Sequence, residues 1–165
     1  MRPGPQAFAV LTRPTGRNES LAQQLAQSGW QVQIAPALRI RTRVLPETEQ
    51  PPIPGDFDVV VFVSAPAVTG YLAQLGGVCH WPAHTLAACV GVATAHAIAQ
   101  AFAADVRVIS PDACSNQDSE ALWTLLMKLA DKPRRVLIVR GQDGRDWLAA
   151  QCAKEGITVT LHAAY

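Results

Sequence analysis

The sequence predicts an α/β protein with doubly wound parallel sheets, because strand-like and helix-like segments alternate along it. Short runs rich in apolar, β-branched residues alternate with segments whose apolar residues recur at helical spacing. Glycine or proline stands at most of the junctions. The strongest unit is RVLIVRGQDGRD at 135–146, an apolar strand closed by Arg140, followed by a glycine-bearing loop and a helix start. Ligands of such sheets bind at the carboxyl ends of strands, so we expect Arg140 and its loop to lie where an anion would be held.

The first forty residues predict a β-α-β unit. Residues 7–11, AFAVL, are a strand candidate. Asn18 is a favoured helix N-cap with Glu19 in the first turn, and Gly29 suits the helix end. Residues 30–34 alternate apolar and polar side chains, which indicates a second strand. This unit is too small to bury its own faces, and the last strand of the chain is the remaining candidate to join it.

A strand and a proline-rich loop are predicted next. Residues 38–45, LRIRTRVL, alternate apolar and basic side chains, which indicates a strand with one wet face. Its three arginines fit either a solvated edge or a phosphate site. Residues 46–56 are rich in proline and predict an extended loop or linker.

Four β-α units follow, and they are enough for a complete doubly wound domain. Residues 57–63, FDVVVFV, predict a central parallel strand because they are nearly all apolar and β-branched. The other expected elements are a helix starting near Pro66 and ending at 76–77, a strand at 86–90, a helix at 95–102, a strand at 106–109, a helix capped by Asp118 or Ser119, the strand at 135–140, a helix at 145–154 and a strand at 157–164.

Composition narrows the class of protein. The chain has 165 residues, 49% hydrophobic and 16% charged, which favours a packed core over disorder. Its net charge of +1, without a basic tract, disfavours nucleic-acid binding. No signal segment is evident and no window reaches the roughly 20 apolar residues of a membrane span. Four widely spaced cysteines favour reduced thiols, and the histidines lack metal-ligand spacing. We expect a soluble, cytoplasmic protein with no metal and no membrane partner.

Several motifs resemble those of a known family in order and spacing. They are TRP at 12–14, FVSAPAV at 62–68, VGVATAHAI at 90–98, DSEALW at 118–123, RGQDGRDWL at 140–148 and Tyr165 at the end of a strand. Together they resemble the uroporphyrinogen-III synthase family over the whole length of the chain.

The resemblance implies two flavodoxin-like, doubly wound α/β domains joined by a two-stranded linker, with the active site in the cleft between them. It assigns residues 1–36 and 159–165 to a partial first domain and 37–158 to the second domain with linker segments at its ends. The rest of the first domain would follow Tyr165, so the resemblance implies a C-terminally truncated chain. The last strand, which no helix follows, fits that expectation.

The implied activity is that of a cyclising hydro-lyase of porphyrin and haem biosynthesis. The family converts hydroxymethylbilane, a linear tetrapyrrole with many carboxylates, to uroporphyrinogen III, with inversion of ring D and loss of water. No cofactor takes part, so catalysis is expected to come from positioning the substrate. We expect the full-length enzyme to be a monomer and the present fragment to be inactive.

The implied site residues lie at strand ends and helix starts. Tyr165 matches the family's candidate for assisting departure of the hydroxyl as a general acid or hydrogen-bond donor. The substrate-binding candidates are Arg13, Ser64, Ala65, Gly91, Thr94, Ser119, Arg140 and Gly141, where backbone N–H groups and hydroxyls can hold carboxylates.

Most of the binding candidates also have a purely structural interpretation. The family often has threonine and asparagine at the positions of Val63 and Pro66, so the loop at Ser64 and Ala65 keeps only backbone donors, and Ser64 suits a helix N-cap. The two candidates at 91 and 94 suit a tight turn, and Ser119 suits a helix cap. Arg140 could instead pair with Asp143 or Asp146.

A different class of function also fits the fold, namely a non-catalytic flavodoxin-like module that binds a small molecule. A receiver-like module would need acidic residues at strand ends, where this chain has Arg13, Ser64 and Gly91. A nucleotide-binding module would need G-x-G-x-x-G or a P-loop, whereas the loop at 141–144 is only G-x-x-G.

Overall fold

The computed structural model describes residues 7–77, 79–102, 106–112 and 118–165. The chain divides into two compact units, Met1–Arg41 and Thr42–Tyr165. Both are α/β with parallel strands, as the sequence predicts.

The first unit is the predicted β-α-β. Strand β1 (Phe8–Leu11) pairs in parallel with β2 (Gln31–Ile34), and α1 (Glu19–Gln27) connects them. Gly29 adopts a φ of +83°, which suits the glycine that ends a helix. Asn18 is the N-cap residue, as predicted, but its side-chain amide donates to the Arg13 carbonyl at 2.8 Å and does not cap α1.

The sheet of the first unit leaves apolar side chains in water. Phe8 and Val10, which alternate along β1 with Ala9 and Leu11, are 56% and 49% exposed. Leu11 is buried. A two-stranded sheet with one uncovered apolar face is marginal as an independent structure.

The predicted strand at 38–45 is wrong, since these residues join no sheet. Residues 42–52, called the strap below, contain a turn at 46–49 and otherwise no regular secondary structure. Arg43 N–H donates to the Ala164 carbonyl at 2.9 Å, and its guanidinium contacts both carboxylate oxygens of Glu49. Gln74 Nε2 donates to the Arg43 carbonyl at 2.8 Å, and Tyr71 Oη donates to the Pro52 carbonyl. Residues 38–45 have the alternating pattern of a strand, but they pair with no strand.

The second unit is built on a five-stranded sheet, all parallel, in the order β5-β4-β3-β6-β7. Its strands are β3 (Val59–Phe62), β4 (Leu86–Cys89), β5 (Val108–Ile109), β6 (Arg135–Arg140) and β7 (Thr158–Ala163). Its helices are α2 (Ala65–Gln74), α3 (Val92–Ala101), α4 (Ser119–Met127) and α5 (Trp147–Lys154), and a short 3-10 turn (Pro54–Asp56) precedes β3. The predicted central strand is confirmed, because β3 lies in the middle of the sheet and is buried throughout.

Helices cover both faces of this sheet. Val60 and Phe62 of β3 pack among residues of α2 and α3, including Tyr71 and Ile98. The alternate residues Val59 and Val61 pack on the other side, against residues of α4 and α5: Leu122, Leu126, Leu148 and Cys152. The period-2 alternation of a strand thus divides one apolar run between two cores, which is the doubly wound arrangement.

The last strand does not lie where the expected domain division put it. Residues 159–165 were predicted to accompany residues 1–36, but β7 pairs with β6 from Arg135↔Thr158 to Arg140↔Ala163 and belongs to the second unit. The unit boundary follows Arg41 instead of residue 36. The physical reason is local, because the short β6-α5-β7 connection brings the next parallel strand back beside β6.

The cysteines that the structure describes are free thiols. Cys79 is half-buried and Cys89 and Cys152 are buried, all as free thiols, and burial raises the pKa of each. Raised pKa values disfavour the reactive thiolate. The fourth cysteine, Cys114, lies outside the described residues. Within the described ranges, no helix combines the length and apolar character needed to cross a membrane.

Candidate functional site

The winding of the sheet changes direction between its two central strands. Strand β3 runs into α2, which covers one face, and its neighbour β6 runs into α5, which covers the other. This is the topological switch point of an open α/β sheet, and ligands of such sheets bind in the crevice outside the carboxyl ends of the strands there. The loops that begin at Val63 and Gly141 border that crevice.

A cavity of about 300 Å³ opens at this edge. Its floor is apolar, with Val61, Leu122, Ile138 and Leu148 among its lining residues. Polar groups also line it, from the start of α4, the loop after β6 and the end of the chain: Asp118, Ser119, Arg140, Asp143, Arg145 and Tyr165. An apolar pocket with a few convergent polar groups is typical of a small-molecule site. It is called the carboxyl-edge cavity below.

Tyr165 and Ser64, far apart in the sequence, meet at this edge. Ser64 is the N-cap of α2 and its Oγ accepts from Ala67 N–H at 3.3 Å. The Ser64 hydroxyl donates to Tyr165 Oη at 2.9 Å. This direction leaves the hydrogen of the Tyr165 phenol free to be donated to another acceptor. Tyr165 lines the cavity, so that acceptor could be a bound ligand.

Backbone contacts and a glycine hold Tyr165 in place. Its carbonyl accepts from Gln142 N–H at 2.9 Å, and the preceding Ala164 N–H donates to the Arg140 carbonyl at 2.8 Å. A Cβ on Gly141 would lie 3.1 Å from Cε2 and 3.2 Å from Cζ of the Tyr165 ring. Gly141 therefore acts by leaving room for the aromatic ring, a role that its motif alone did not indicate.

The side chain of Arg140 binds residues of the loop that follows it. Its guanidinium forms an ion pair with Asp146 and donates to the Gly144 carbonyl at 3.1 Å and the Gly141 carbonyl at 3.3 Å. The side chain is only 13% exposed. Of the alternatives left open by the sequence, the structure contains the pair with Asp146. Arg140 therefore closes the loop from Gly141 to Asp146.

The other predicted residues differ in their relation to the cavity. Asp118, whose Oδ1 accepts from Ala121 N–H at 2.8 Å, is the N-cap of α4, so Ser119 is not the cap and lines the cavity from the first turn. Gly91 is the N-cap of α3 and its carbonyl accepts from Thr94 N–H at 3.0 Å. Ser64, Ala65, Gly91 and Thr94 share the carboxyl edge but are not among the residues that line the cavity.

Arg13 belongs to the first unit. It follows β1, and its carbonyl accepts from the buried amide of Asn18. That contact fixes the turn into α1.

A wider groove of about 920 Å³ lies at the opposite, amino edge of the sheet. Two of its charged residues, Asp58 and Lys132, have structural partners. Asp58 Oδ2 accepts from Arg134 N–H at 2.7 Å and Arg135 N–H at 2.9 Å, and Lys132 pairs with Glu155 at 3.5 Å. Burial raises the pKa of Asp58, but these backbone hydrogen bonds and the two arginines outweigh it and hold the pKa below its ordinary value. Asp58 thus stays ionised and ties the starts of β3 and β6 together.

Two solved structures are similar to this chain in fold. A mutant uroporphyrinogen III synthase from the extremely thermophilic bacterium Thermus thermophilus matches with a TM-score of 0.60 at 15% identity, and the wild-type enzyme in another crystal form with 0.51 at 16%. Each match covers 96% of this chain and 61% of the solved one. The chain therefore spans about 61% of the length of these relatives.

A family model extends the likeness from fold to sequence. The model described as uroporphyrinogen-III synthase HemD matches residues 19–165, which include α1, β2 and the whole second unit. The motif at 12–14 lies outside that match, and the other motifs noted in the sequence lie inside it. The chain belongs to the uroporphyrinogen-III synthase family.

Proposed function

We propose that the second unit forms one wall of a uroporphyrinogen-III synthase active site. The substrate is hydroxymethylbilane, and the product is uroporphyrinogen III, formed by ring closure with inversion of ring D and loss of water. The observation that carries the proposal is the Ser64–Tyr165 hydrogen bond of 2.9 Å, located at the switch point of the sheet beside the carboxyl-edge cavity.

Tyr165 is proposed as the group that assists departure of the hydroxyl. When the C–O bond of the substrate breaks, the oxygen leaves as water and must receive a hydrogen bond or a proton. Ser64 donates to the phenol oxygen, and a phenol that accepts one hydrogen bond is polarised to donate another. The methylene carbon left behind then forms the new bond to ring D.

Substrate carboxylates are proposed to bind at the helix starts of the same edge. Backbone N–H groups at the start of a helix favour anions, and the first turns of α2, α3 and α4 all lie at the carboxyl edge. These starts contain five of the sequence candidates: Ser64, Ala65, Gly91, Thr94 and Ser119. Arg13 and Gly141 complete the proposed set, the first from the other unit and the second as the space for the Tyr165 ring.

The chain by itself is proposed to have little or no activity. The first unit exposes Phe8 and Val10 on a two-stranded sheet, and such a sheet is marginal as an independent structure. We place the reaction in the cytoplasm, without metal or organic cofactor and without nucleic acid, and we propose a monomer for the complete enzyme.

Isomer analysis tests the function. Hydroxymethylbilane is incubated with the full gene product, with its Tyr165→Phe variant and with the 165-residue chain, and the oxidised porphyrins are separated. We expect the full product to form the type III isomer, Tyr165→Phe to form it at least tenfold more slowly because general acid–base assistance is lost, and the 165-residue chain to form little. Type I alone at the spontaneous rate from the full product would refute the proposal.

The same assay separates the other class of function. A non-catalytic binding module is favoured by the size of the cavity, about 300 Å³, which is at the small end of ligand pockets. Such a module would bind the tetrapyrrole tightly and leave the isomer ratio and the rate of spontaneous closure unchanged.

A further inference from the structure

Two arginines line the carboxyl-edge cavity, and their surroundings are opposite. The guanidinium of Arg140 is held by the Asp146 carboxylate and by the carbonyls of Gly144 and Gly141. Its three nitrogens each have an acceptor within the loop. Pairing with a ligand would require it to give up these contacts, so Arg140 is poorly placed to bind one.

Arg145 is the other arginine, and it is free. It precedes the N-cap Asp146 of α5, it is exposed, and it lines the cavity. Among the residues that the structure describes, its side chain forms no hydrogen bond and no ion pair. An unpaired cation at the rim of a pocket needs no internal contact broken before it meets an anion.

One glycine of the motif, Gly144, lies against the guanidinium of the fixed arginine. The guanidinium of Arg140 folds across Gly144, where a Cβ would lie 3.4 Å from both Cζ and Nε. The contacts of Arg140 with Gly141, Gly144 and Asp146 close the loop after β6. Arg145 follows directly and remains exposed.

We propose that Arg145 is the residue of the carboxyl-edge cavity that pairs with a carboxylate of the ligand. Arg140, the arginine singled out by the sequence, shapes the loop instead. This inference rests on the proposed function, since it names the charge contact for a polycarboxylate tetrapyrrole at that same site.

The acidic residues of the cavity should affect ligand binding in the direction opposite to Arg145. The carboxylate of Asp118 accepts from Ala121 N–H and is occupied as a helix cap. Asp143 is exposed, lines the cavity and opposes an anionic ligand. Removing its charge should therefore strengthen binding where removing the charge of Arg145 weakens it.

Titration with uroporphyrin III, a stable polycarboxylate tetrapyrrole, tests the proposal on the chain as it exists. Binding is followed by tryptophan fluorescence at low and high salt. We expect Arg145→Gln to raise Kd by about fivefold and to reduce the salt dependence of Kd, because one exposed ion pair is lost. Arg145→Lys should recover part of the loss, and Asp143→Asn should lower Kd by about twofold.

Arg134→Gln is the matched control, because it removes one exposed positive charge at the opposite, amino-edge groove. Its Kd should stay within twofold of wild type. Equal Kd values for wild type and Arg145→Gln, or equal losses in Arg145→Gln and Arg134→Gln, would overturn the assignment of Arg145 and leave the proposed function standing. Failure of the wild-type chain to bind uroporphyrin III would also overturn the assignment of Arg145, whereas the proposed function is decided by the isomer assay on the full product.

Discussion

The hydroxyl of Ser64 serves a helix and the candidate site at once. It accepts from Ala67 N–H in the first turn of α2 and donates to Tyr165 Oη. The free N–H groups at a helix start need acceptors, which explains a serine at this position on structural grounds alone. The hydrogen bond to Tyr165 is not needed for capping, and its contribution to stability can be measured separately.

Substituting Ser64→Ala should destabilise the chain by about 1–2 kcal/mol, since both hydrogen bonds are lost. Asp118→Ala, which removes only a cap, should cost about 1 kcal/mol. Urea denaturation of Ser64→Ala, Tyr165→Phe and the double variant should show a coupling of about 0.5–1 kcal/mol. Additive losses within error would mean that the Ser64–Tyr165 contact contributes nothing.

His162 binds Gln74, and Gln74 in turn binds the strap. Gln74 donates its amide to the carbonyls of Arg43 and Ala163, so its Oε1 faces His162 Nε2 at 2.7 Å and the imidazole must be the donor. His162 is 5% exposed. Burial lowers its pKa from 6.5, as does Arg43 nearby, while Glu49 acts in the opposite direction. The imidazole is therefore held neutral.

Stability should depend on pH through this histidine. Because the pKa is lower in the folded chain than the value of 6.5 expected when unfolded, the unfolded chain binds the proton more readily below that pH. The contribution is complete above about pH 6.5 and declines as the pH falls. Urea midpoints from pH 8 to pH 5 should drop more steeply for wild type than for His162→Gln, whose amide can still donate to Gln74. Parallel profiles would contradict this assignment.

At the scale of elements, α2 and the end of β7 approach each other across a glycine. A Cβ on Gly70 would lie 2.5 Å from the carbonyl oxygen of Ala164, the residue before Tyr165. A helix interior normally favours alanine over glycine by about 1 kcal/mol. The close approach of backbone explains why glycine stands here instead.

Gly70→Ala should destabilise the second unit by about 1–3 kcal/mol despite the better helix propensity, because the clash is with backbone and cannot be relieved by a side-chain rotation. Thermal or urea unfolding measures it, with Thr69→Ala on the exposed face of α2 as the control, expected within about 0.5 kcal/mol of wild type. A stabilised Gly70→Ala chain would show that β7 does not pack this closely on α2.

Sequence patterns predicted where the strands lie better than they predicted which strands pair with one another. The buried run at 57–63 gave the central strand because a strand covered on both faces must be apolar throughout. The alternation at 38–45 is the same kind of signal, yet it has no ladder partner and forms the beginning of the strap. Pairing of β7 with β6 also follows from the β-α-β connection and not from the composition of β7.

The candidate site shows the same division. Strand-end turns and motifs indicated Ser64, Gly141 and Tyr165, but the contact of Ser64 with Tyr165 joins residues 101 positions apart and needs the sheet to be formed. Arg140 and Arg145 belong to the same motif, and each carries a positive charge. Arg140 is the one that binds the loop, because Asp146 and the Gly144 carbonyl lie within its reach. The local sequence does not specify those positions.

At the scale of the whole molecule, the two units differ in completeness. Residues Thr42–Tyr165 have a sheet covered on both faces, whereas Met1–Arg41 leave apolar side chains of a two-stranded sheet exposed. The central claim concerns the complete unit: its ligand binds at the carboxyl edge of the sheet, between the ends of β3, β6 and β7.

Amide chemical shifts during a titration with uroporphyrin III test that claim most directly, since they report on both edges of the sheet in one experiment. We expect the largest shift changes at the amides of Ser64, Ser119, Gly141 and Tyr165, with the amides of Asp58 and Arg134 unchanged. Changes confined to the amino-edge groove around Asp58 and Arg134 would contradict the account.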